Sequence, residues 1–283
     1  MTVLEAIQKS ADFLGKKNVE SPRLNAELLL AHQLKLPRMK LYLNFERALT
    51  AAETDGLREL VKRRGQREPL QHITGLTNFC GCEISVNRSV LVPRPETELL
   101  AELGWQFLVT RHSSLVTALD FCTGSGCIAI AIATKCPAAK IIATDISAEA
   151  LALAKQNSVA NTVAERIDFF AGDGFAAISP AMRFDLIVSN PPYIPSAEIA
   201  ALDPEVRDFD PRLALDGGAD GLDFYRRLAK DAATFLKPDG KIMLEFGDGQ
   251  ADVIKIIFES EKWIVEAIKE DYSHRARILV ARR

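Results

Sequence analysis

The first 68 residues carry apolar side chains at three- and four-residue intervals, which is the spacing of one face of an α-helix. Leu24, Leu28, Ala31 and Leu34 form one such series. Residue pairs typical of helix starts occur at three places: Thr2 with Glu5, Ser21 with Pro22, and Thr50 with Glu53. We therefore predict a helical bundle over residues 1–68, with its last long helix ending near Gly65. No residue in this bundle is a candidate for catalysis.

Residues 69–92 have a different pattern, with short β-prone runs interrupted by glycine and asparagine. The runs at 79–86 and 89–92 predict a β-hairpin, which we interpret as a linker between two domains. A helix is predicted next, over residues 99–109.

From Leu115 onward, apolar runs of strand length alternate with helical patterns. Strands are predicted at 116–121, 140–145, 166–171, 184–189 and 241–246, and helices at 126–135, 147–160, 221–236 and 249–259. This alternation is typical of a parallel α/β sheet. The last two β-prone runs, 263–269 and 276–282, are too close for a helical crossover and should pair antiparallel. The second domain, residues 93–283, is thus predicted to be an α/β domain with a mostly parallel seven-stranded sheet.

The composition of the 283-residue chain is that of an ordinary globular protein, with 48% hydrophobic and 26% charged residues. The net charge of −3 argues against a phosphate backbone as the main ligand. A basic cluster at Lys62–Arg64 with Arg67 fits the solvated face of a helix.

Neither a metal site nor a membrane span is expected from the sequence. The five cysteines and four histidines follow no zinc-binding spacing. We expect neither a signal peptide at the first residues nor a membrane anchor, because no apolar run is long enough. Reduced thiols then indicate a cytoplasmic protein. The sequence does not fix the oligomeric state, and a monomer is the working expectation.

The segment Asn190-Pro191-Pro192-Tyr193 directly follows the apolar run that ends at Ser189. The Asn190 side-chain oxygen and the Pro191 carbonyl can each accept one hydrogen of a planar NH2 group. Those bonds would orient the nitrogen and favour the positive charge that grows during alkylation. Pro191 and Pro192 stiffen the backbone, and Tyr193 can stack on a flat substrate. We therefore interpret the segment as a clamp for an NH2 group, although a proline-rich turn would have the same sequence.

Candidate ligand-binding residues follow the first three strands of the predicted sheet. The turn Cys122-Thr123-Gly124-Ser125-Gly126 lacks the full dinucleotide and nucleotide-triphosphate fingerprints. Asp145 lies about 20 residues beyond it, where an acid can bind ribose hydroxyls. Asp173 ends the third strand and is a candidate acceptor for an adenine amino group. Because ligands bind outside the carboxyl ends of parallel strands, all of these residues and Asn190 should share one rim.

In this order, Asp-Phe-Cys-Thr-Gly-Ser-Gly, Thr-Asp-Ile-Ser, Gly-Asp-Gly and Asn-Pro-Pro-Tyr resemble the motifs of class I S-adenosylmethionine-dependent methyltransferases. More closely, the chain resembles the PrmC/HemK family, protein-(glutamine-N5) methyltransferases that modify the Gly-Gly-Gln motif of peptide chain release factors. The likeness covers nearly the whole chain. The combination of residues 93–98 with 190–193 is its most specific part.

The resemblance implies a Rossmann-like methyltransferase domain that binds S-adenosyl-L-methionine, with roles for particular residues. Cofactor contacts are implied for Cys122, Thr123, Gly124, Ser125, Gly126, Asp145, Asp173, Gly174 and Asn190. The same resemblance implies that residues 190–193 hold the target glutamine, with Asn190, Pro191 and Tyr193 in the catalytic step. It also implies that the helical bundle of residues 1–68 helps to dock the release factor.

Two positions depart from the family pattern. Cys122 replaces the usual first glycine of the turn, and a positive φ there would cost about 1 kcal/mol or more. Gly174 stands where some members carry an aromatic residue, which leaves Phe175 as a candidate to cover the adenine.

Two other classes of function compete with this interpretation. A DNA adenine or cytosine amino-methyltransferase also needs a clamp for a planar NH2, but it must grip phosphates and flip a base. The acidic chain has no added basic domain for that task. A non-enzymatic scaffold is disfavoured because Asp145 and Asn190 are both present.

Overall fold

The structure, a computed structural model, describes residues 1–111, 113 and 115–283. Its α-helices are α1 (Val3–Lys16), α2 (Pro22–Leu34), α3 (Arg38–Leu41), α4 (Ala51–Gly65), α5 (Leu70–Thr74), α6 (Pro95–Val109), α7 (Cys127–Lys135), α8 (Ala148–Ala160), α9 (Pro204–Arg207), α10 (Asp223–Asp231) and α11 (Ala251–Ser260). Its strands are β1 (Leu76–Phe79), β2 (Cys82–Ser85), β3 (Val116–Phe121), β4 (Ala139–Asp145), β5 (Ile167–Ala171), β6 (Phe184–Ser189), β7 (Leu236–Glu245), β8 (Ile264–Glu270) and β9 (Ala276–Arg282).

The chain forms two compact units. One comprises Met1–Gly75 with Asp203–Phe209, and the other comprises Leu76–Leu202 with Asp210–Arg283. The short segment Asp203–Phe209 therefore belongs to the helical unit, although it lies far along the chain from the other helices of that unit.

The predicted helices form around a core of buried apolar side chains from α1, α2 and α4. The predicted apolar series on α2 is not its buried face, however, because Leu29 and Leu30 are buried while Leu24 is 39% exposed.

Both capping boxes form, since Thr2 and Thr50 accept backbone hydrogen bonds three residues on. Helix α4 ends at Gly65. The prediction that Ser21 caps α2 through its side chain is wrong. Ser21 has φ 47° and makes no such bond, although its carbonyl accepts from the Asn25 N–H (3.1 Å).

Arginine side chains join the distant segment to the helical unit. Arg64 and Arg67 donate to Glu205 of α9 over 3.0 and 2.6 Å, and Arg64 also donates to Asn25. The predicted solvated basic cluster therefore includes one buried side chain, Arg64.

The second unit contains a seven-stranded sheet in the order β5-β4-β3-β6-β7-β9-β8. Strands β3 to β7 pair in parallel, and β9 pairs antiparallel with β7 and β8. The predicted mostly parallel α/β sheet with a C-terminal antiparallel pair is confirmed. Two apolar clusters of buried side chains cover its faces.

Three sequence predictions need correction at element boundaries. The hairpin pairs β1 with β2 around a turn at Cys80 and Gly81, so its strands are shorter and earlier than predicted. Residues 89–92 form no strand, because the Asn87 side chain accepts from the Ser89 N–H (2.9 Å) and turns the chain. The predicted helix 221–236 begins later, at Asp223, and changes after Asp231 into a 3-10 turn, Ala232–Phe235, before the long strand β7 begins at Leu236.

Candidate functional site

A cavity lies at the carboxyl edge of the parallel strands in the second unit. Its walls come from the segments that follow β3, β4, β5 and β6, from the start of α6 and from the loop that precedes α10. Predicted site residues on its surface are Cys122, Thr123, Gly124, Ser125, Asp145, Asp173, Gly174, Asn190 and Pro192. The predicted common rim is therefore present.

The turn after β3 is held by backbone contacts to the neighbouring strand. Thr123 donates its N–H to the Thr144 carbonyl (2.9 Å), and Gly126 donates to Thr123 (2.9 Å). Cys122 adopts φ 62°, a left-handed conformation that favours glycine. Cys122 therefore has the positive φ that, according to the sequence analysis, would strain a residue other than glycine at this position.

The Asp145 carboxylate links the turn to the next strand. One oxygen accepts from the Gly124 N–H (2.8 Å), and the other accepts from the Ser147 N–H (2.9 Å). Burial raises the pKa of Asp145, while these backbone bonds act in the opposite direction. The side chain is thus fixed and faces the cavity, as a hydrogen-bond partner for ribose hydroxyls requires.

A second acid, Asp120, supports the same turn from below. One of its oxygens accepts from the Thr123 hydroxyl (2.6 Å) and from the Ala129 N–H (3.1 Å), and its other oxygen is buried without a partner. Burial raises the pKa of Asp120 to about 7, and the charge of Asp145 adds to the shift. Asp120 thereby ties the turn to the start of α7.

Asp173 and Gly174 form the part of the cavity after β5. Asp173 forms an ion pair with Arg227, whose guanidinium also bonds the Asp173 carbonyl (2.6 Å). A Cβ at position 174 would lie 2.5 Å from the Phe121 ring, so this position needs glycine. The expectation that Phe175 covers an adenine is wrong, because its ring stacks on Phe235 (4.6 Å) within the core.

The Asn190–Tyr193 segment leaves β6 at the same edge. Asn190 donates its side-chain Nδ2 to the Thr97 hydroxyl (3.1 Å). Asn190 and Pro192 line the cavity, whereas Pro191 is buried and Tyr193 packs partly against the core. Burial, followed by the charge of Glu245, raises the pKa of Tyr193 to about 12, which keeps the phenol neutral.

The backbone of this segment is held by the loop before α10. Ile194 exchanges backbone hydrogen bonds with Leu215 (3.0 Å) and Gly217 (2.9 Å), and the Tyr193 carbonyl accepts from Gln250 (2.9 Å). A Cβ on Gly217 would lie 2.8 Å from the Tyr193 Cα atom, so only glycine permits this approach. The backbone of this segment is therefore fixed by contacts within the protein.

Two functional candidates were missed in the sequence, namely Thr97 and Glu245. Thr97 lies in the first turn of α6 and is 2% exposed, and Glu245 ends β7 and is 3% exposed. A signal for Glu245 was available: like Asp145 and Asp173, it is an acid at the end of an apolar strand. Thr97 offered none beyond its place in the segment 93–98.

Within the described part of the chain, no group of three or more His, Cys, Asp or Glu side chains is arranged to hold a metal ion. None of the described helices combines the length and apolar character needed to cross a membrane.

Comparison with known proteins places the chain in a family. Residues 5–75 match the model of the PrmC N-terminal domain, and residues 101–202 match that of the methyltransferase small domain. A protein of Geobacter sulfurreducens named release factor glutamine methyltransferase is 44% identical over 91% of this chain and 88% of its own length. The chain belongs to the release factor glutamine methyltransferase family. A member from Chlorobaculum tepidum is 42% identical, over 92% of this chain and 90% of its own.

One solved structure with much lower sequence identity resembles this chain in fold alone. The N-terminal domain of human METTL16, solved in complex with SAH, aligns with a TM-score of 0.51 and 15% identity. The alignment covers 71% of the present chain and 75% of that domain. This likeness shows a shared fold, and the methyltransferase domain itself is shown by the family match over residues 101–202.

Proposed function

We propose that the protein transfers a methyl group from S-adenosyl-L-methionine to the side-chain amide nitrogen of the glutamine in the Gly-Gly-Gln motif of release factors. The observation that carries the proposal is the position of Asn190. It lies on the same cavity as the turn after β3, with its Nδ2 bonded to Thr97, so its side-chain oxygen is free to accept from a substrate amide. The names of the family members support release factors as the substrate.

The residues along the rim fit the proposed cofactor. The glycine-containing turn of residues 122–126 allows close approach of the methionine part, and Asp145 is the candidate partner of the ribose. Asp173 and Gly174 border the space for the adenine. When bound, S-adenosylmethionine supplies a methyl group on a positively charged sulfur.

The Asn190–Tyr193 segment is the proposed glutamine site. A carboxamide nitrogen is a poor nucleophile because its lone pair is delocalised. The Asn190 oxygen and the Pro191 carbonyl would accept its two hydrogens and favour the positive charge that grows on the nitrogen. The amide proton becomes acidic once the nitrogen is alkylated, so no strong base is required. Stacking of Tyr193 on the glutamine remains a prediction, as does the role of the helical unit in docking.

The direct test is incubation of the purified protein with labelled S-adenosylmethionine and a purified release factor, followed by mapping of the modified residue. We expect label on the glutamine of Gly-Gly-Gln and none on a release factor in which that residue is alanine. Label at another residue would contradict the assignment. A parallel incubation with duplex DNA at physiological salt tests the alternative, a DNA amino-methyltransferase. Tight, salt-sensitive binding and methylation of a base would favour that alternative.

The role of Asn190 is tested by the variant Asn190→Ala. We expect methyl transfer to fall much further than affinity for S-adenosylmethionine measured by calorimetry. Equal losses in both quantities would contradict a role in holding the substrate amide.

A further inference from the structure

We propose that Thr97 and Glu245 are positioning residues that orient the Asn190 carboxamide, so that its nitrogen faces the protein and its oxygen faces the substrate. The effects that we expect on kcat rest on the proposed glutamine methylation. The orientation itself is a property of this protein alone.

The topology of the sheet brings Asn190 and Glu245 together. Strands β6 and β7 pair in parallel with Ser189 opposite Leu244, so the next residues in each strand direction are Asn190 and Glu245. Thr97 reaches the same point from the first turn of α6. Three elements that are distant in sequence therefore place polar groups in one buried cluster.

When Glu245 is ionised, the donors and acceptors in this cluster favour one orientation of the Asn190 amide. A primary carboxamide has two N–H donors on one side and one acceptor oxygen on the other. The Asn190 Nδ2 donates to the Thr97 Oγ1 (3.1 Å), and the buried Glu245 carboxylate is near enough to both side chains for them to lower its pKa. The nitrogen of the amide is thus turned toward Thr97 and Glu245, and its oxygen is left for the cavity.

Reversal of the Asn190 amide would be costly. It would set the Asn190 oxygen against the carboxylate of Glu245, which has only acceptors when ionised. Glu245 is almost fully buried, so water cannot relieve that contact. A reversed amide would also present N–H donors to the substrate NH2, which likewise donates. The cluster therefore sets which end of Asn190 meets the substrate.

Charged and titratable groups surround Glu245 on several elements. They are Glu96 on α6, Arg277 on β9, Tyr193 after β6 and Tyr225 on α10. Burial raises the pKa of Glu245 to about 7 and Glu96 adds to the shift, whereas Thr97, Arg277 and Asn190 act to lower the pKa. One Glu245 oxygen has no partner. Glu245 thus becomes ionised as the pH rises through about 7, and the ionised carboxylate is the stronger acceptor for the Asn190 amide.

The test compares Thr97→Val with Thr97→Ser, which removes and keeps the hydroxyl respectively. With a release factor as substrate, we expect Thr97→Val to lower kcat by about 10- to 100-fold, the effect of one lost hydrogen bond to a polar group. The KM and the affinity for S-adenosylmethionine should change less than about 3-fold. Thr97→Ser should restore kcat. Thr117→Val, the same change at the start of β3 and away from the cavity, is the matched control.

Glu245 is tested in the same way with Glu245→Gln and Glu245→Leu. Glutamine keeps an acceptor for Asn190 and Thr97, while leucine has none, so only Glu245→Leu should lower kcat to the level of Thr97→Val. A Thr97→Val enzyme with the kcat of the wild type, or with equal losses of kcat and cofactor affinity, would overturn the proposal.

An NMR measurement separates this inference from the proposed function. The side-chain 15N–1H pair of Asn190, assigned by its loss in Asn190→Ala, should shift in Thr97→Val but not in Thr97→Ser. It should also titrate with a midpoint near pH 7 in the wild type and not in Glu245→Gln. Unchanged resonances in Thr97→Val would refute the orienting role even if the glutamine is methylated. Shifted resonances in a protein that fails to methylate the glutamine would refute only the proposed substrate.

Discussion

The carboxylate of Asp145 accepts a hydrogen bond from the backbone N–H of Gly124 across 2.8 Å, which joins the ends of β4 and β3 at the rim of the cavity. Its other oxygen accepts from the Ser147 N–H at the start of α8. Both oxygens therefore shape the walls of the cavity, in addition to any contact that Asp145 makes with a ligand.

Asp145→Ala should weaken the binding of S-adenosylmethionine by about 10- to 100-fold, because hydrogen bonds to a charged group contribute about 1.5–3 kcal/mol. Isothermal titration calorimetry measures the change. Asp168→Asn on the adjacent strand β5 is the control, since that side chain is half exposed and pairs with Lys140 (3.2 Å). Equal affinities for Asp145→Ala and the wild type would show that the residue does not serve the cofactor.

The stability of Cys122 variants should depend on how well each residue tolerates a positive φ rather than on the size of its side chain. At φ 62°, glycine is free of the penalty that a left-handed residue carries, about 1–2 kcal/mol, whereas a β-branched residue suffers most. The gain of Cys122→Gly is offset by about 0.4–1 kcal/mol of unfolded-chain entropy and by lost packing. We expect chemical denaturation to show Cys122→Gly within about 1 kcal/mol of the wild type and Cys122→Val clearly less stable. The reverse order would contradict the strain argument.

The sequence predicted the sheet and its rim well because both depend on local patterns. Apolar runs of strand length and intervening helices fix the parallel strands, and the carboxyl ends of those strands must then lie at one edge. Asp145 and Asn190 could be placed together for that reason alone. Their position follows from the topology, without knowledge of side-chain packing.

Other features depend on contacts between distant residues and could not be predicted. Phe175 follows Gly174 in sequence, yet its ring enters the core because Phe235 stacks on it and Phe121 packs against it at a tilt. The Ser21 side chain matches a capping pattern, but the positive φ of this residue prevents the capping geometry. Thr97 and Asn190 meet only because α6 begins beside the end of β6.

Stability should depend on pH through Asp120. Its pKa is raised by burial from 3.8 to about 7, so between those values the folded protein holds a proton that the unfolded chain releases. This contribution to the free energy of unfolding is complete below about pH 4 and is lost as the pH rises through about 7. Asp120→Asn removes the titration while keeping one acceptor for Thr123 and Ala129. Urea unfolding at pH 5 and pH 8 should therefore show a larger fall for the wild type than for the variant. Equal falls would contradict the assignment of the shift to Asp120.

Gly217→Ala should impair catalysis without unfolding the protein. The added Cβ would lie 2.8 Å from the Tyr193 Cα atom and 2.9 Å from the Pro192 carbonyl oxygen, so the backbone of the proposed glutamine clamp must move. Misplacement by about 1 Å can lower a rate about 100-fold, and we expect kcat on a release factor to fall by about 10- to 100-fold. Affinity for S-adenosylmethionine should stay within about 3-fold, because the turn after β3 is not displaced.

Gly15→Ala in α1 provides the control for Gly217→Ala, since its added Cβ would meet no atom closer than 3.9 Å. Wild-type kcat is expected for this control. If Gly217→Ala also retained wild-type kcat, the clamp would tolerate movement and its fixed geometry would not limit the reaction. If instead both kcat and cofactor affinity fell equally, the loop before α10 would act on the whole cavity rather than on the glutamine site.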